Sequence, residues 1–132
     1  MRKDAREVVF KVLYSELYAD VSEELFSDLS KEADLTESEV TFACSLLKSS
    51  REKKDVLDGI IGELANNYDL KRIYPTDKCA LYIGLTEIMG GEVPYIVAID
   101  EALSLCKKYS TPESLGFVNG IFAEYVKRNK IA

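Results

Sequence analysis

Apolar residues recur every third or fourth position along almost the whole chain, and that period is the strongest limit on what it can fold into. Ala5, Val8, Val9, Val12, Leu13 and Leu17 make one stripe at helical spacing. Arg2, Arg6 and Phe10 follow i, i+4, i+8 on a second face, which predicts a first helix with a core side and a partly basic side. The stretch "LTESEVTFACSLLKSS" opens with a capping box, in which the Thr36 hydroxyl caps the N3 amide and Glu39 reaches back. Val40, Ala43, Cys44 and Leu47 then face inward. Val56, Leu57, Ile60, Ile61 and Leu64 share the next face, and Asn66-Asn67 is the expected end of that helix.

The second half continues the pattern. "YPTDKCALYIGLTEIMGG" starts a helix after Pro75 and stops it at Gly90-Gly91, with Gly84 inside predicting close approach by another helix. "EVPYIVAIDEALSLCKKYS" carries Ile96, Val97, Ile99, Ala102, Leu103 and Cys106 in a wide band and is predicted to be the central, most buried helix. In "TPESLGFVNGIFAEYVKRN", Thr111 is the N-cap and Pro112 stands at N1, and Leu115, Val118, Phe122 and Tyr125 run at helical spacing. Asn119-Gly120 is normally a turn dipeptide, but here it falls inside that helix. Glycine there costs roughly 1 kcal/mol against alanine, so Gly120 is expected to admit a neighbouring helix and Asn119 to hydrogen-bond across to one. "DVSEELFSDLSKEAD" has only Leu25, Leu29 and Ala33 as a thin stripe, in an acid-rich stretch, and reads as a solvated helix or loop. No segment alternates cleanly as a strand would. The expectation is a single all-α domain over residues 1–132, with about six to seven helices.

Composition narrows the function. A chain of 132 residues, 47% hydrophobic and 30% charged, suits an ordinary soluble protein with one buried core. No apolar run is long enough to span a membrane, and Lys11 and Glu16 interrupt the apolar start, which excludes a signal peptide; the expected location is cytoplasmic. Cys44, Cys79 and Cys106 are odd in number and lack any C-x-x-C, so all three are expected to be buried thiols. Without histidine, and with no nucleophile–base set or phosphate-cradling loop, neither an enzyme, a metal site nor a cofactor is expected. Asp100-Glu101 and Glu23-Glu24 are adjacent, so they diverge on a helix and make no acid/base dyad; Glu101 is expected to hydrogen-bond a neighbour's backbone or form an ion pair.

The net charge is −6, yet it is unevenly spread. Residues 1–14 hold four cations against two acids, and residues 103–132 hold five against two. If these ends meet in space they make a local basic patch around an acidic middle, with Lys107 and Lys108 joining it.

Three blocks carry a family likeness. "VPYIVAIDEALSLCKKYSTPESLGFVNGIF" resembles the C-terminal signature of the NusB family, roughly V-P-x-x-V-A-I-N-E-A-V-x-L-A-K-x-Y followed by F-V-N-G-V-L. "RKDAREVVFKVLY" is similar to the family's opening, and "TDKCALYIGLTEI" to its D-R-A-I-L-R-L-x-x-Y-E-L helix. The resemblance implies an all-helical transcription antitermination factor that binds boxA RNA with NusE, a small-subunit ribosomal protein, and joins the elongating RNA polymerase complex. By motif it implies RNA contacts at Arg2, Lys3, Arg6, Tyr14 and Phe117, with Glu113 and Ser114 nearby, and a NusE contact at Asp77. Arginine and lysine supply salt-dependent phosphate contacts, and aromatics stack unpaired bases. The helix start at Thr111–Ser114 is expected to offer free N–H groups to a phosphate.

The chain departs from the pattern at Asp4, Lys78, Tyr82, Asp100 and Gly116, each of which removes positive charge or a donor. These support an alternative reading, a divergent protein-interaction module that has lost specific RNA binding. A NusB-like domain fused to an RNA methyltransferase is a third, disfavoured because the chain ends at Ala132. The sequence leaves homo-oligomer formation open.

Overall fold

Local signals set most helix ends where the sequence places them. The structure is a computed structural model that describes residues 2–65 and 72–131. It contains seven helices: α1 (Arg2–Glu16), α2 (Glu24–Glu32), α3 (Glu37–Glu52), α4 (Lys54–Leu64), α5 (Pro75–Gly90), α6 (Tyr95–Tyr109) and α7 (Pro112–Arg128). No strand occurs among the described residues. The capping box forms at α3: Glu39 N–H donates to Thr36 Oγ1 at 3.2 Å and Thr36 N–H to Glu39 Oε1 at 3.0 Å. Gly91 ends α5 in the left-handed region, at φ 73°, where glycine carries no Cβ penalty. Asn66-Asn67 lie outside the described residues; α4 itself ends at Leu64, with Ala65 as its C-cap.

The most buried helix is α5, not α6 as its apolar band predicted. Every residue of α5 from Cys79 to Ile88 is buried, and it packs on α1, α3, α4, α6 and α7. Its fully buried Leu81, Ile83 and Leu85 each contribute about 1.5–3 kcal/mol by leaving water. By contrast α6 leaves Ile96 and Val97 exposed. Gly84 fulfils its expectation. A Cβ placed there would lie 2.3 Å from Phe122 Cζ, so glycine is what lets the α7 ring seat against α5. Gly120 does not. A Cβ there meets nothing within 4 Å, and Asn119 beside it is exposed with no partner among the described residues.

Two further expectations are corrected. The second face of α1 is not an open basic one: Arg6 and Phe10 are both buried, and Phe10 stacks on Tyr109 with centroids 4.9 Å apart. Cys44 is exposed, whereas Cys79 and Cys106 are buried as expected. Burial pushes the two buried thiols up to about 12, which keeps them protonated and unreactive at neutral pH. Finally α2 is a thin cover on α1, with Leu25, Phe26 and Leu29 half-buried.

Candidate nucleic-acid interface

At the start of α1, Arg2 and Lys3 are exposed, with Asp4 beside them. The Arg2 guanidinium lies 4.3 Å from the centre of the Phe42 ring of α3, a cation–π contact that restrains it at the surface. Arg6 is different. It is 5% exposed, and its Nε and Nη2 donate to Glu87 Oε1 and Oε2 at 2.6 and 2.8 Å. Glu101 stands 3.8 Å from Nη1, the ion pair expected of it. Burial works against the guanidinium's charge, but the bonds and charge of Glu87 and the charge of Glu101 outweigh it and raise its pKa. Arg6 is therefore a core clamp between α1, α5 and α6, not an exposed phosphate contact.

The two basic ends do meet, but largely as ion pairs. Lys108 Nζ lies 2.7 Å from Glu7 Oε1, and the Tyr109 hydroxyl donates to the same oxygen. Burial pushes Glu7 up, yet the hydrogen bonds from Lys108 and Tyr109 and the charges of Lys108 and Lys11 outweigh it and hold it below the usual carboxylate range. Lys107 is exposed and carries no ion pair among the described residues. Arg128 turns away, to Glu124 at 2.9 Å and Glu63 at 3.4 Å.

Asp77, Glu113, Ser114 and Phe117 gather at the opposite end of α5. Asp77, in its first turn, is 3% exposed. Its Oδ1 accepts from Ser110 Oγ at 2.6 Å and its Oδ2 from Ser114 Oγ at 2.9 Å. Thr76 adds a hydroxyl bond to Ser110 at 3.1 Å. The expected Asp77 contact with a protein partner is thus an internal tie between α5 and the turn joining α6 to α7. Ser114 is buried too, and its N–H is taken by the Thr111 cap at 3.3 Å, so the helix start does not offer it to a phosphate. Phe117 is half-buried and Glu113 exposed beside it. Tyr14, 37% exposed, tilts against Tyr18 with ring centres 5.3 Å apart. Glu87 and Asp77 are ten residues apart on one helix, about 15 Å at 1.5 Å per residue. The cations of α1 and Phe117 consequently flank opposite ends of α5.

Four residues escape the sequence reading. Glu87, the partner of Arg6, is signalled only by being an acid in the apolar run "LTEIM". Tyr82 reads as a lost surface charge, but it is buried and donates to Asp58 Oδ1. Arg72 and Tyr74 line a hollow of about 370 Å³ with Asp77, Glu113, Ser114 and Phe117; neither falls in the three blocks that carry the family likeness. Among the described residues no group of three or more Cys, Asp or Glu is placed to hold a metal ion, and no helix is long and apolar enough to cross a membrane.

Comparison with known proteins places this arrangement. The family model described as "NusB family" matches residues 3–127. A transcription antitermination protein NusB of Acetivibrio thermocellus is 31% identical over 128 residues, 96% of this chain and 88% of that protein. The solved T. maritima NusB superposes with a TM-score of 0.88 at 27% identity, covering 96% of this chain and 91% of that one. A chain from a crystal structure of antitermination factors NusB and NusE in complex with dsRNA superposes with a TM-score of 0.85 at 25% identity, covering 96% of each. A match that runs through the Arg6 clamp, the Asp77 tie and Phe117 alike leaves one assignment: the chain belongs to the NusB family.

Proposed function

We propose that this protein is a transcription antitermination factor that binds boxA RNA of ribosomal RNA operons together with NusE and joins the elongating RNA polymerase complex in the cytoplasm, as a single non-enzymatic domain. The observation that carries the reading is its correspondence, over 96% of both chains, with a NusB structure that holds NusE and dsRNA. Arg2, Lys3 and Lys107 are exposed and supply phosphate contacts, with Lys108 contributing what Glu7 leaves of its charge. Phe117, half-buried beside Glu113, offers its ring for a base to stack on. Tyr14 extends the surface at the far end of α1. Arg6 acts from inside, by holding α1 to α5, and Asp77 acts by fixing the turn that presents Phe117.

A second reading keeps support. Arg6 and Lys108 are neutralised by Glu87, Glu101 and Glu7, which leaves a thin basic surface on a chain of net charge −6. That favours a protein-interaction module without specific RNA binding. Titrating boxA RNA and a scrambled control with the protein plus NusE, at two salt concentrations, separates them. The first reading expects tighter binding to boxA and a salt-dependent affinity; the second expects a NusE complex with no preference between the RNAs.

A further inference from the structure

The hollow where α5 and α7 begin has a chemistry that the cations of α1 lack. We propose that it receives one unpaired nucleobase of a single-stranded RNA, with Tyr74 as a stacking surface, Glu113 accepting from the base's amino or imino edge, and Arg72 on the neighbouring phosphate. This rests on the RNA-binding reading above and adds residues to it.

Size and charge select the occupant. About 370 Å³ is available, at the small end of the usual range for ligand pockets and suited to a flat ring. Tyr74 is 56% exposed, and it precedes Pro75, which restricts its backbone to the extended form it shows (φ −56°, ψ 136°). Phe117 supplies a second aromatic surface on the same hollow. Inside, the carboxylates of Asp77 and Glu113 would repel a phosphate, whereas a base edge offers N–H donors to them. Both oxygens of Asp77 already accept from Ser110 and Ser114, so Glu113 is the group left to read the edge. Arg72, exposed on the rim, is the cation the adjoining phosphate needs. Neither Arg72 nor Glu113 has an ion-pair partner among the described residues, and they do not pair with each other. The Asp77–Ser110–Ser114 tie holds the start of α7, and with it Glu113 and Phe117, in register with Tyr74, the N-cap of α5.

The test is a fluorescence-anisotropy titration of labelled single-stranded boxA RNA with the full chain plus NusE. It compares wild type, Tyr74→Ala, Tyr74→Phe and Arg72→Ala, with thermal melts to confirm folding. Tyr74→Ala is expected to weaken binding by roughly 5- to 100-fold, the range for losing one base–aromatic stack, and Tyr74→Phe to keep the wild-type affinity. Arg72→Ala is expected to flatten the slope of log K against log salt by about 0.7, one phosphate on a single strand. RNA affinity unchanged in Tyr74→Ala overturns the inference, and so does loss of NusE alone, which would make the hollow a protein-binding surface. Tyr74-dependent binding without preference for boxA over scrambled RNA supports the pocket while overturning the boxA reading. No RNA binding by wild type overturns both.

Discussion

Glu87 and Asp77 are buried acids at opposite ends of α5, and the fold neutralises them in opposite ways. Glu87 lies in the last turn, where the carbonyl end of the helix dipole disfavours an anion, and it takes a full cation, Arg6, in a bidentate pair. Asp77 lies in the first turn, where the dipole favours an anion, and two serine hydroxyls suffice. The difference decides which basic residue is free to meet RNA. An arginine drawn into the core by Glu87 is unavailable to phosphate. At the Asp77 end no cation is consumed, and Arg72 stays at the surface.

The contrast can be broken by removing one partner at each end. Arg6→Ala leaves Glu87 buried without its cation and is expected to cost about 3–5 kcal/mol in urea unfolding. Replacing both partners, Arg6→Met with Glu87→Leu, should recover most of that loss. Where Arg6→Ala is still folded, its RNA salt slope should match wild type; a slope lowered by one phosphate contact would return Arg6 to the RNA surface. Asp77→Ala takes the acceptor from two hydroxyls that still have each other, Thr76 and Thr111 as partners, strands no charge, and is expected to cost less, about 1–3 kcal/mol. Asp77→Asn should cost less still, because an amide can accept from one serine and donate to the other. An Asp77→Asn variant as unstable as Asp77→Ala would mean that the charge itself, on the helix dipole, is what the site needs.

The same contrast explains what the sequence revealed. The capping box of α3 was legible because Thr36 and Glu39 are three residues apart and act on each other. The Arg6–Glu87 pair spans 81 residues and leaves no local trace, so Arg6 reads as one more surface cation. The burial of α5 was hidden for another reason. A helix apolar on every side has no stripe, and the clearer band of α6 outranked it, although Ile96 and Val97 in that band are exposed. The two glycines make the point at single-residue scale. Spacing shows that Gly84 and Gly120 are inside helices, but only packing shows that Phe122 covers one and nothing covers the other. Gly84→Ala is expected to destabilise by about 1–3 kcal/mol through overpacking, and Gly120→Ala to stabilise by up to about 1 kcal/mol. Equal effects of the two substitutions would show that the Phe122 ring yields freely. Of the predicted site, Arg2, Lys3, Lys107 and Glu113 sit exposed and Phe117 half-exposed, while Arg6, Asp77 and Ser114 are buried. The buried three are polar residues with distant partners, which periodicity does not report.

A third acid, Glu7, lies between these extremes and gives the smallest effect. It is half-exposed and shared by Lys108 and Tyr109, so solvent screens it and its contribution stays within the roughly 1 kcal/mol of a surface pair. Its sign is nonetheless fixed. The folded pKa lies below the ordinary 4.5, so the contribution is complete above that value and fades as pH falls through the lower, folded one. Glu7→Gln should therefore be less stable than wild type at pH 7, by an amount that holds down to about pH 5.5 and vanishes in acid. High salt should shrink the gap at pH 7, whereas the Arg6→Ala penalty, in the buried pair, should persist. A Glu7→Gln gap that ignores both salt and pH would show that Tyr109 packing, rather than the Lys108 charge, joins α1 to α6 here.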